Sequence, residues 1–595
     1  CLVGFTRRYM DALAHHDPSR VPFARHVKFT ENDVVMPIGA GLWGSIGRYS
    51  PDALTAADTR TGNAAWFGLV WEHGTPAYYA MRLTIRDGEI TQVETVIERK
   101  PGLPAPFGDP AKYTHDPAFQ RIEPPAERRG RQRLRDVVNG YFSTVSRNDG
   151  ELLTHFAAAC GRTENGISTT SGSFGSAGIA QGCAEQFKLG IFKVNKRVRE
   201  RRYPLIDTKR GVVVATGFFD HDNSFDTYKT TDGKTHRTVL KWPNSISLME
   251  AFKIVNGKIY RVEAIFTYVP YFMHSPWAGD EGAGAPHGPG WDIAHAADRA
   301  APPAQPAQRA RSSCDRACLI GFANRYMSAL AKHDDRHLPW ARVVDYSENE
   351  VPMMIGDGQW GTVVGFSPHP LYAADPATGN VAWLGVVSEH GQPAYYGMRL
   401  KVEHGRIAEV EAVIDPKAKA GPFGDPDEAV HDASFGEIEP AGERSSREQL
   451  IELVNGYFST LQRNDGTLRT RLDPHCERVA NGLSTTQGSY GPAAIAKGCK
   501  AQLALGLFRL DDRLRARRFP IVDVARGVVV ATACIDYDAR HDRYVATDGK
   551  THSAAIDHPH SRSVIEVFKI RHGAIYRIEA VSTLVPYRMP SPWVR

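Results

Sequence analysis

The chain of 595 residues repeats itself, and this repeat constrains its fold more than any other feature. Val138–Thr144 (VNGYFST) returns unchanged as Val454–Thr460, and Thr231–His236 (TDGKTH) returns as Thr547–His552. Both repeats are offset by 316 residues, so the two halves correspond nearly from end to end. A fixed offset of this kind indicates duplicated structural units. Any fold for the chain must therefore be built twice.

Each half divides again, more faintly. Tyr9 is followed eight residues later by Asp17, and the same spacing separates Tyr141 from Asp149. The second half repeats both pairs, so we predict four related domains in two duplicated pairs. The predicted domains are residues 1–108, 127–278, 314–425 and 442–595, and residues 279–313, rich in Ala, Pro and Gly, form the predicted linker.

The pattern within a quarter predicts an α+β fold. Leu2, Phe5, Tyr9 and Leu13 follow helical spacing. Runs of strand-forming residues such as Ala77–Ile85 come next, separated by His-Gly and Asp-Gly turns that are typical of antiparallel hairpins. A helix followed by such strands belongs to the α+β class. Because the apolar face of a sheet needs cover, we expect the two domains of a pair to pack through their sheets.

Composition excludes two classes of partner. The formal net charge is +5, which is too close to balance for a dedicated nucleic-acid-binding protein. The longest apolar stretches, such as Gly211–Phe219, have the length of a strand and fall short of the roughly 20 residues that span a bilayer. We therefore predict a multidomain protein without a nucleic-acid partner and without a membrane span.

Short motifs at the start of each quarter carry a family resemblance. Arg8-Tyr9, Asp17 and the acidic segment Phe29–Asp33 stand in the order found in the NTF2-like superfamily, and the chain is most similar to its ketosteroid isomerase and SnoaL-like branch. The run Cys314–Leu319 also resembles that of secreted proteins of this fold without an assigned activity. The resemblance covers about four-fifths of the chain. It implies four cone-shaped domains, each with an apolar pocket.

The resemblance also implies a chemistry. In isomerases of this family a tyrosine of the first helix binds the substrate oxyanion, and a carboxylate on the following strand moves a proton. Tyr9, Tyr141, Tyr326 and Tyr457 match the tyrosine, and Glu31 or Asp33 matches the carboxylate. The implied function is that of a lyase or isomerase without a cofactor. Its substrate would be a hydrophobic or carbohydrate-derived small molecule.

The odd-numbered domains keep more of this pattern than the even-numbered ones. Asp33 is replaced by Gly166 and Gly482 in the even domains, and Ala480 stands where Glu164 would be in the last. Acids two residues apart on one strand share a face, which raises one pKa. The predicted catalytic residues are Tyr9, Glu31, Asp33, Tyr326, Glu348 and Glu350, and the predicted substrate-binding residues beside them are Asn32, Trp43, Asn349 and Trp360.

Three further groups of charged residues leave alternatives open. The basic stripes Lys193–Arg202 and Arg509–Arg518 either form a solvated face or bind an anionic substrate such as a uronate polymer, through Arg201, Arg202, Arg517 and Arg518. The strand glutamates Glu94, Glu263, Glu411 and Glu579 either contact a neighbouring domain or supply a second pocket acid. Glu72-His73 and Glu389-His390 are expected to be exposed turn residues. The segment Asp557–His560 is not expected to bind a metal, because its counterpart Lys241–Asn244 offers no ligands.

The cysteines indicate an oxidising compartment. Cys160 and Cys183 recur as Cys476 and Cys499 with the same spacing of 23 residues, which favours two disulfides. We also expect a Cys314–Cys318 disulfide and a core thiol at Cys534. The partner of Cys1 would lie upstream of residue 1, and a lipid-modified Cys1 is the alternative. The prediction is a secreted or periplasmic protein whose signal peptide has been removed.

Two classes of function follow. One is the lyase or isomerase described above, acting on a small molecule or, through the arginines, on an anionic saccharide. The other is a non-catalytic ligand-binding or scaffold protein, whose copies associate through their sheet faces.

Overall fold

The computed structural model describes residues 1–99, 106–238, 241–279, 314–416, 423–489, 491–554 and 556–594. It contains four units, which we number 1 (residues 1–99), 2 (131–279), 3 (314–416) and 4 (447–594). Apart from Gly279, the predicted linker lies outside the described residues.

The first half contains units 1 and 2. The elements of unit 1 are α1 Leu2–Ala14, β1 Phe23–Glu31, β2 Val34–Val35, α2 Leu42–Ser45, β3 Ile46–Tyr49, β4 Leu54–Asp58, β5 Asn63–Glu72, β6 Thr75–Arg86 and β7 Glu89–Arg99. Those of unit 2 are α3 Arg131–Arg147, β8 Phe156–Glu164, β9 Ile167–Ser168, α4 Cys183–Leu189, β10 Arg197–Asp207, β11 Val212–His221, β12 Thr227–Lys229, β13 Thr235–Arg237, β14 Asn244–Val255 and β15 Lys258–Val269.

The second half repeats both units. The elements of unit 3 are α5 Arg316–Leu330, β16 Trp340–Glu348, β17 Val351–Pro352, β18 Val363–Phe366, β19 Leu371–Asp375, β20 Asn380–Glu389, β21 Gln392–Glu403 and β22 Arg406–Pro416. Those of unit 4 are α6 Arg447–Arg463, β23 Leu472–Ala480, β24 Leu483–Ser484, α7 Pro492–Ile495, α8 Cys499–Ala504, β25 Asp511–Asp523, β26 Val528–Tyr537, β27 Arg543–Val545, β28 Thr551–Ser553, β29 His560–Arg571 and β30 Ala574–Val585.

The sheets of the two halves have matching topologies. Units 1 and 3 each hold a seven-stranded sheet, and units 2 and 4 each hold a six-stranded sheet. All pairings are antiparallel except one per unit, where the first strand runs parallel to the last, as β1 does to β7. The predicted α+β class and the duplication of the halves are thus confirmed.

Each large sheet is covered on both faces. The inner face packs on the first helix of its unit, where Tyr9, Met10 and Leu13 are buried in unit 1. The outer faces of units 1 and 2 pack on each other through apolar residues such as Phe67 and Met249, and units 3 and 4 do the same. The predicted packing of pairs through their sheets is therefore confirmed.

Three disulfides lie where the cysteine spacing predicts them. Cys160–Cys183 and Cys476–Cys499 join the first strand of an even unit to a short helix, with Cα atoms 5.7 and 5.6 Å apart. Cys314–Cys318 bridges the first turn of α5. The Cys534 thiol is buried, as expected for a core residue, and Cys1 is an exposed free cysteine.

None of the helices in the described part of the chain has the length and apolar character that crossing a bilayer requires.

Candidate functional site

A cavity of about 200 Å³ lies where the two halves of the chain meet. All four units line it, for example with Arg99 of unit 1, Trp242 and Tyr268 of unit 2, Glu348 of unit 3 and His560 of unit 4. Apolar side chains and prolines form much of the remaining wall. A concave apolar site with a few polar groups is the usual form of a small-molecule site, and we call this cavity the central chamber.

The first strand of units 1 and 3 ends in an acid. The acid of unit 3 lies on the chamber wall, and its counterpart in unit 1 does not. Glu31 ends β1 and Glu348 ends β16, and each is followed by a turn in which Asn32 or Asn349 has a positive φ. The Asn32 amide is held by the last strand, since Ile97 N donates to its Oδ1 at 2.8 Å. Asn349 accepts equally from Ile414 N at 2.9 Å. Both asparagines line the chamber. Because their side chains are hydrogen-bonded to the last strand, their role is to stabilise the turn and not to bind substrate.

In unit 1 the acid is clamped by an arginine. Glu31 accepts a hydrogen bond from Leu42 N at 2.9 Å, and Arg99 Nη2 lies 3.0 Å from its Oε1. The same guanidinium contacts Glu72, with 2.5 Å between Arg99 Nε and Oε2. Burial raises the pKa of Glu31, and the charge of Arg99 opposes that shift. Arg99 therefore forms ion pairs with both buried carboxylates, Glu31 and Glu72.

Unit 3 has the two acids without this arginine. Arg99 is replaced by Pro416, which holds the same register, since Pro416 pairs with Ala394 as Arg99 pairs with Ala77. Glu348 accepts hydrogen bonds from Gln359 N at 3.1 Å and from the Tyr346 hydroxyl. Within the described residues it forms no ion pair.

No counterpart of Arg99 therefore opposes the effect of burial on the pKa of the Glu348 carboxyl. Burial raises the pKa of Glu348 to about 8, with hydrogen bonds from Tyr346 and Gln359 opposing the shift and the charge of Glu389 adding to it. The side-chain amide of Gln359 is 1% exposed and lines the chamber, and its Nε2 and Oε1 have no hydrogen-bond partner among the described residues. Unit 3 thus presents a proton-carrying acid and an unused amide to the chamber.

The predicted aromatic residues lie behind these acids. Trp43 Nε1 donates to the Tyr9 hydroxyl at 3.1 Å in the core of unit 1. In unit 3 the Tyr326 and Trp360 rings meet edge to face with centroids 5.4 Å apart. These residues are buried core groups of the first helix and the following loop. They support the acids and do not form the chamber wall.

The expected sharing of one face by two acids is wrong. Asp33 and Glu350 follow the turn with positive φ, which directs them away from Glu31 and Glu348. Asp33 accepts a hydrogen bond from Ser247 of unit 2, and Glu350 accepts one from Ser563 of unit 4 at 2.6 Å. Both lie between the paired sheets. Burial there raises the pKa of Asp33 to about 6.

The arginine stripes do not form an anion site. A β-bulge in β10, where Glu200 has a positive φ, breaks the expected alternation. Arg202 pairs with Glu94 between the sheets, whereas Arg201 donates to Ser143 of α3 at 2.8 Å.

Unit 4 repeats this arrangement around the same kind of bulge at Ala516. Arg518 pairs with Glu411 of unit 3, and Arg517 donates to Ser459 of α6 at 3.0 Å. All four arginines therefore have protein partners.

The strand glutamates contact segments outside their own sheets, as the first of the two alternatives predicts. Glu94 and Glu411 pair with these arginines, and Glu263 and Glu579 contact His115 and His431 of the segments that join the units.

The expectation that the glutamates at the hairpins are exposed is wrong. Glu72 and Glu389 end β5 and β20, point inward, and are 2% and 1% exposed. Ser45 and Thr362 donate to them. The described ranges contain no group of three or more histidine, cysteine, aspartate or glutamate side chains placed to hold a metal ion.

A buried acid of the even units escaped the sequence analysis. Glu250 on β14 alternates with the core residues Leu248 and Phe252 and points into unit 2, near Tyr141 and Arg162. Burial, then the charge of Glu164, raises its pKa to about 8. Glu566 holds the same position in unit 4, where burial raises its pKa to about 7. Unit 4, which lacks the acids of the motif, therefore has an interior acid from another strand. An acid at an inward position of the strand pattern was the available signal.

Replacing Glu250 with Gln is expected to stabilise the protein at alkaline pH. Between the unfolded pKa near 4.5 and the folded pKa of about 8, the folded state holds a proton that the unfolded state has released. The free energy of unfolding of the wild type therefore falls as the pH rises through this range, and the neutral amide does not share this fall. Relative to the wild type, Glu250→Gln should gain about 1–3 kcal/mol between pH 5 and pH 8.5 in urea unfolding. The exposed Glu185→Gln is the control, and an equal gain there would contradict the prediction.

Comparison with known proteins adds one match. A family model described as a domain of unknown function (DUF8021) matches residues 127–266 and 443–582. The two matches fall on units 2 and 4, so they repeat the duplication of the halves and carry no activity with them. No curated protein matches the chain.

Proposed function

We propose that each of the four units is an NTF2-like cone domain. The support is the order of elements: a first helix lies against the inner face of a sheet whose first and last strands run parallel. The buried tyrosine of that helix recurs in all units as Tyr9, Tyr141, Tyr326 and Tyr457.

We further propose that the protein is a secreted lyase or isomerase that moves a proton on a small molecule bound in the central chamber. The observation that carries this proposal is Glu348, a buried acid with a pKa of about 8 on the wall of a cavity of about 200 Å³. An acid or base works best when its pKa lies near the working pH. The three disulfides support the secreted location.

The neighbours of Glu348 have roles in this mechanism. Tyr346 and the Gln359 backbone N–H hold the carboxyl in one orientation. The Gln359 side-chain N–H groups are available to donate to an oxygen on which charge develops. Glu348 in its ionised form takes a proton from carbon and returns it at another position, or leaves it on the protein while a leaving group departs.

Unit 1 has a supporting role in this proposal. Arg99 keeps Glu31 and Glu72 in a fixed ion-pair cluster, and Glu31 is not on the chamber wall. The wall also carries the acids Glu98 and Glu389. None of the arginines predicted to bind an anion (Arg201, Arg202, Arg517 and Arg518) lines the chamber, so we favour an uncharged substrate over a uronate.

Solvent exchange tests the proposal without knowledge of the substrate. The protein is incubated in D₂O with a panel of small ketones, enones and amines, and deuterium incorporation at carbon is followed by NMR. We expect incorporation into at least one compound, with a rate that rises with pH to a plateau above about 8, the pKa of Glu348. If compounds bind but none exchanges or reacts, the chamber is the site of a ligand-binding protein and the catalytic proposal is wrong.

A further inference from the structure

Gln359 of unit 3 holds the position of Leu42 in unit 1. In each unit the backbone N–H at this position donates to the acid that ends the first strand, at 2.9 Å from Leu42 and at 3.1 Å from Gln359. Both residues are 1% exposed. The Leu42 side chain belongs to the apolar core of unit 1 and is not on the chamber wall, whereas Gln359 lines the chamber. An amide therefore stands where the same fold accepts a hydrocarbon side chain.

The protein does not use this amide. Neither Nε2 nor Oε1 of Gln359 has a hydrogen-bond partner among the residues that the structure describes. A buried polar group without a partner lowers stability, and an apolar group of the same shape can be neutral or stabilising in its place. An unpaired donor beside an unpaired acceptor is also the pattern that matches a second amide. The side chain thus costs the free protein stability and offers a ligand a specific contact.

Unit 2 brings a second unused donor to the chamber. The Trp242 indole N–H lines it, is buried, and likewise has no partner within the described ranges. Asn223 Nδ2 donates to Trp242 O at 2.5 Å, and Asn223 O lies 2.6 Å from His390 Nε2 of unit 3. The Tyr271 hydroxyl donates to Asp357, in the loop after β16, at 2.7 Å. These contacts join the segment of Trp242 to the part of unit 3 that carries the unused amide.

The volume of the chamber limits the size of the ligand. It is about 200 Å³. Sites for drug-sized molecules have roughly 300–1,000 Å³, whereas a cavity of roughly 150 Å³ holds benzene. The chamber therefore has room for one ring with small substituents, and the aromatic side chains of unit 2 provide faces for it.

The titratable groups of the wall limit the charge of the ligand. Burial raises the pKa of Glu98 and of Glu348 to about 8 and lowers the pKa of His560 well below its usual value. All three residues line the chamber and are largely uncharged at pH 7. Because a charge is costly to remove from water without a partner, the wall favours an uncharged ligand.

We propose that the chamber binds an uncharged single-ring compound through a carboxamide or lactam group that pairs with the side chain of Gln359. The ligand oxygen accepts a hydrogen bond from Gln359 Nε2, and the ligand N–H donates to Gln359 Oε1. This inference rests on the proposed function and names the class of its substrate. The amide group holds the compound beside Glu348, which moves the proton at a neighbouring carbon.

Calorimetry with two matched probes tests the inference. Benzamide and acetophenone are titrated into the full chain at pH 7. They share the ring and the carbonyl group, and a methyl group in acetophenone replaces the amide nitrogen. We expect benzamide to bind at least about tenfold more tightly, because a site built to hydrogen-bond one group rejects the analogue that lacks it. Equal binding of the two probes, or no binding of benzamide, would overturn the inference.

Gln359→Leu, the residue of unit 1, locates the binding group. The preference for benzamide over acetophenone should fall below about threefold, because the paired donor and acceptor are lost. The free variant should unfold at the same urea concentration as the wild type or at a higher one, since an unpaired amide is replaced by an apolar side chain. Gln359→Met, with an unbranched side chain of similar length, should behave in the same way. If both variants keep the preference, or both unfold at a lower urea concentration, the amide has a structural role and the inference is wrong.

The outcomes separate this inference from the proposed function. The exchange panel is extended with carboxamides and lactams that carry hydrogen on carbon. Equal binding of benzamide and acetophenone, together with exchange of ketones that depends on Glu348, would overturn the inference and leave the lyase or isomerase proposal standing. Binding of benzamide that depends on Gln359, without exchange or turnover in any compound, would support the inference and contradict the enzyme proposal.

Discussion

Glu348→Gln is expected to lower the rate of exchange or turnover by about 10²–10⁴-fold, the usual contribution of a positioned acid or base. Glutamine keeps the size of the side chain and cannot accept or release the proton. The amide would still occupy the site beside Gln359 N, so the loop after β16 should keep its structure. The measurement is the initial rate of deuterium incorporation at pH 8.5, where the wild-type carboxyl is largely ionised.

The matched control is Glu31→Gln, the same change at the equivalent position of unit 1. Glu31 is clamped by Arg99 and does not line the chamber, so its loss should change the rate by less than about threefold. A rate that falls equally in both variants would indicate a structural effect common to the odd units. A Glu348→Gln variant with full activity would remove Glu348 from the mechanism.

The sequence could predict the features that depend on local patterns such as repeats, residue spacing and turn motifs. The duplication is visible as repeated segments, and the spacing of Cys160 and Cys183 in one half recurs in the other. Helical spacing around Tyr9 and hairpin turns between the strands indicate the α+β class. The alternation around Glu94 places it opposite its apolar neighbours, and the structure puts a neighbouring unit there.

The features that it could not predict depend on single backbone reversals and on contacts between distant segments. A positive φ at Asp33 separates this acid from Glu31, although the two stand two residues apart. The bulge at Glu200 breaks the alternation along β10, so Arg199 pairs with Asp220 whereas Arg201 contacts Ser143 of α3. The chamber joins segments as distant as Arg99 and His560, and no pattern within one quarter indicates that the halves meet there.

One difference between the halves was present in the sequence and carries much of the proposal. Arg99 and Pro416 end the equivalent strands β7 and β22, so the exchange of a cation for a proline can be seen by aligning the repeats. The consequence of this exchange depends on where Glu31 and Glu348 lie, and the structure is needed to show that. Duplication therefore leaves Glu31 in an ion pair with Arg99, and Glu348 on the wall of the chamber without an arginine at that position.

Glu94→Gln is expected to lower the free energy of unfolding by about 3–5 kcal/mol at pH 7, the usual effect of breaking a buried ion pair from one side. Glu94 is 4% exposed and lies between the sheets of units 1 and 2. It contacts Arg82 at 2.8 Å on its own sheet and Arg202 from the other unit. Without the carboxylate, two buried guanidinium groups would face each other across the interface. The ring centroid of Trp277 lies 4.8 Å from Arg82 Cζ, so this tryptophan presents its ring face to the Arg82 guanidinium.

The pH dependence gives this prediction a second test. Burial acts to raise the pKa of Glu94, but Arg202 and Arg82 outweigh it and hold the pKa below its usual value. A depressed pKa contributes stability above the unfolded value near 4.5, and that stability is lost as the pH falls through the folded value. In urea unfolding, the difference in the free energy of unfolding between the wild type and Glu94→Gln should therefore be largest at pH 7. This difference should become smaller below pH 4.5. Glu89→Gln, an exposed position on the same strand, should stay within about 0.5 kcal/mol of the wild type. A comparable loss there, or a difference that does not change with pH, would show that the ion pair is not what joins the two sheets.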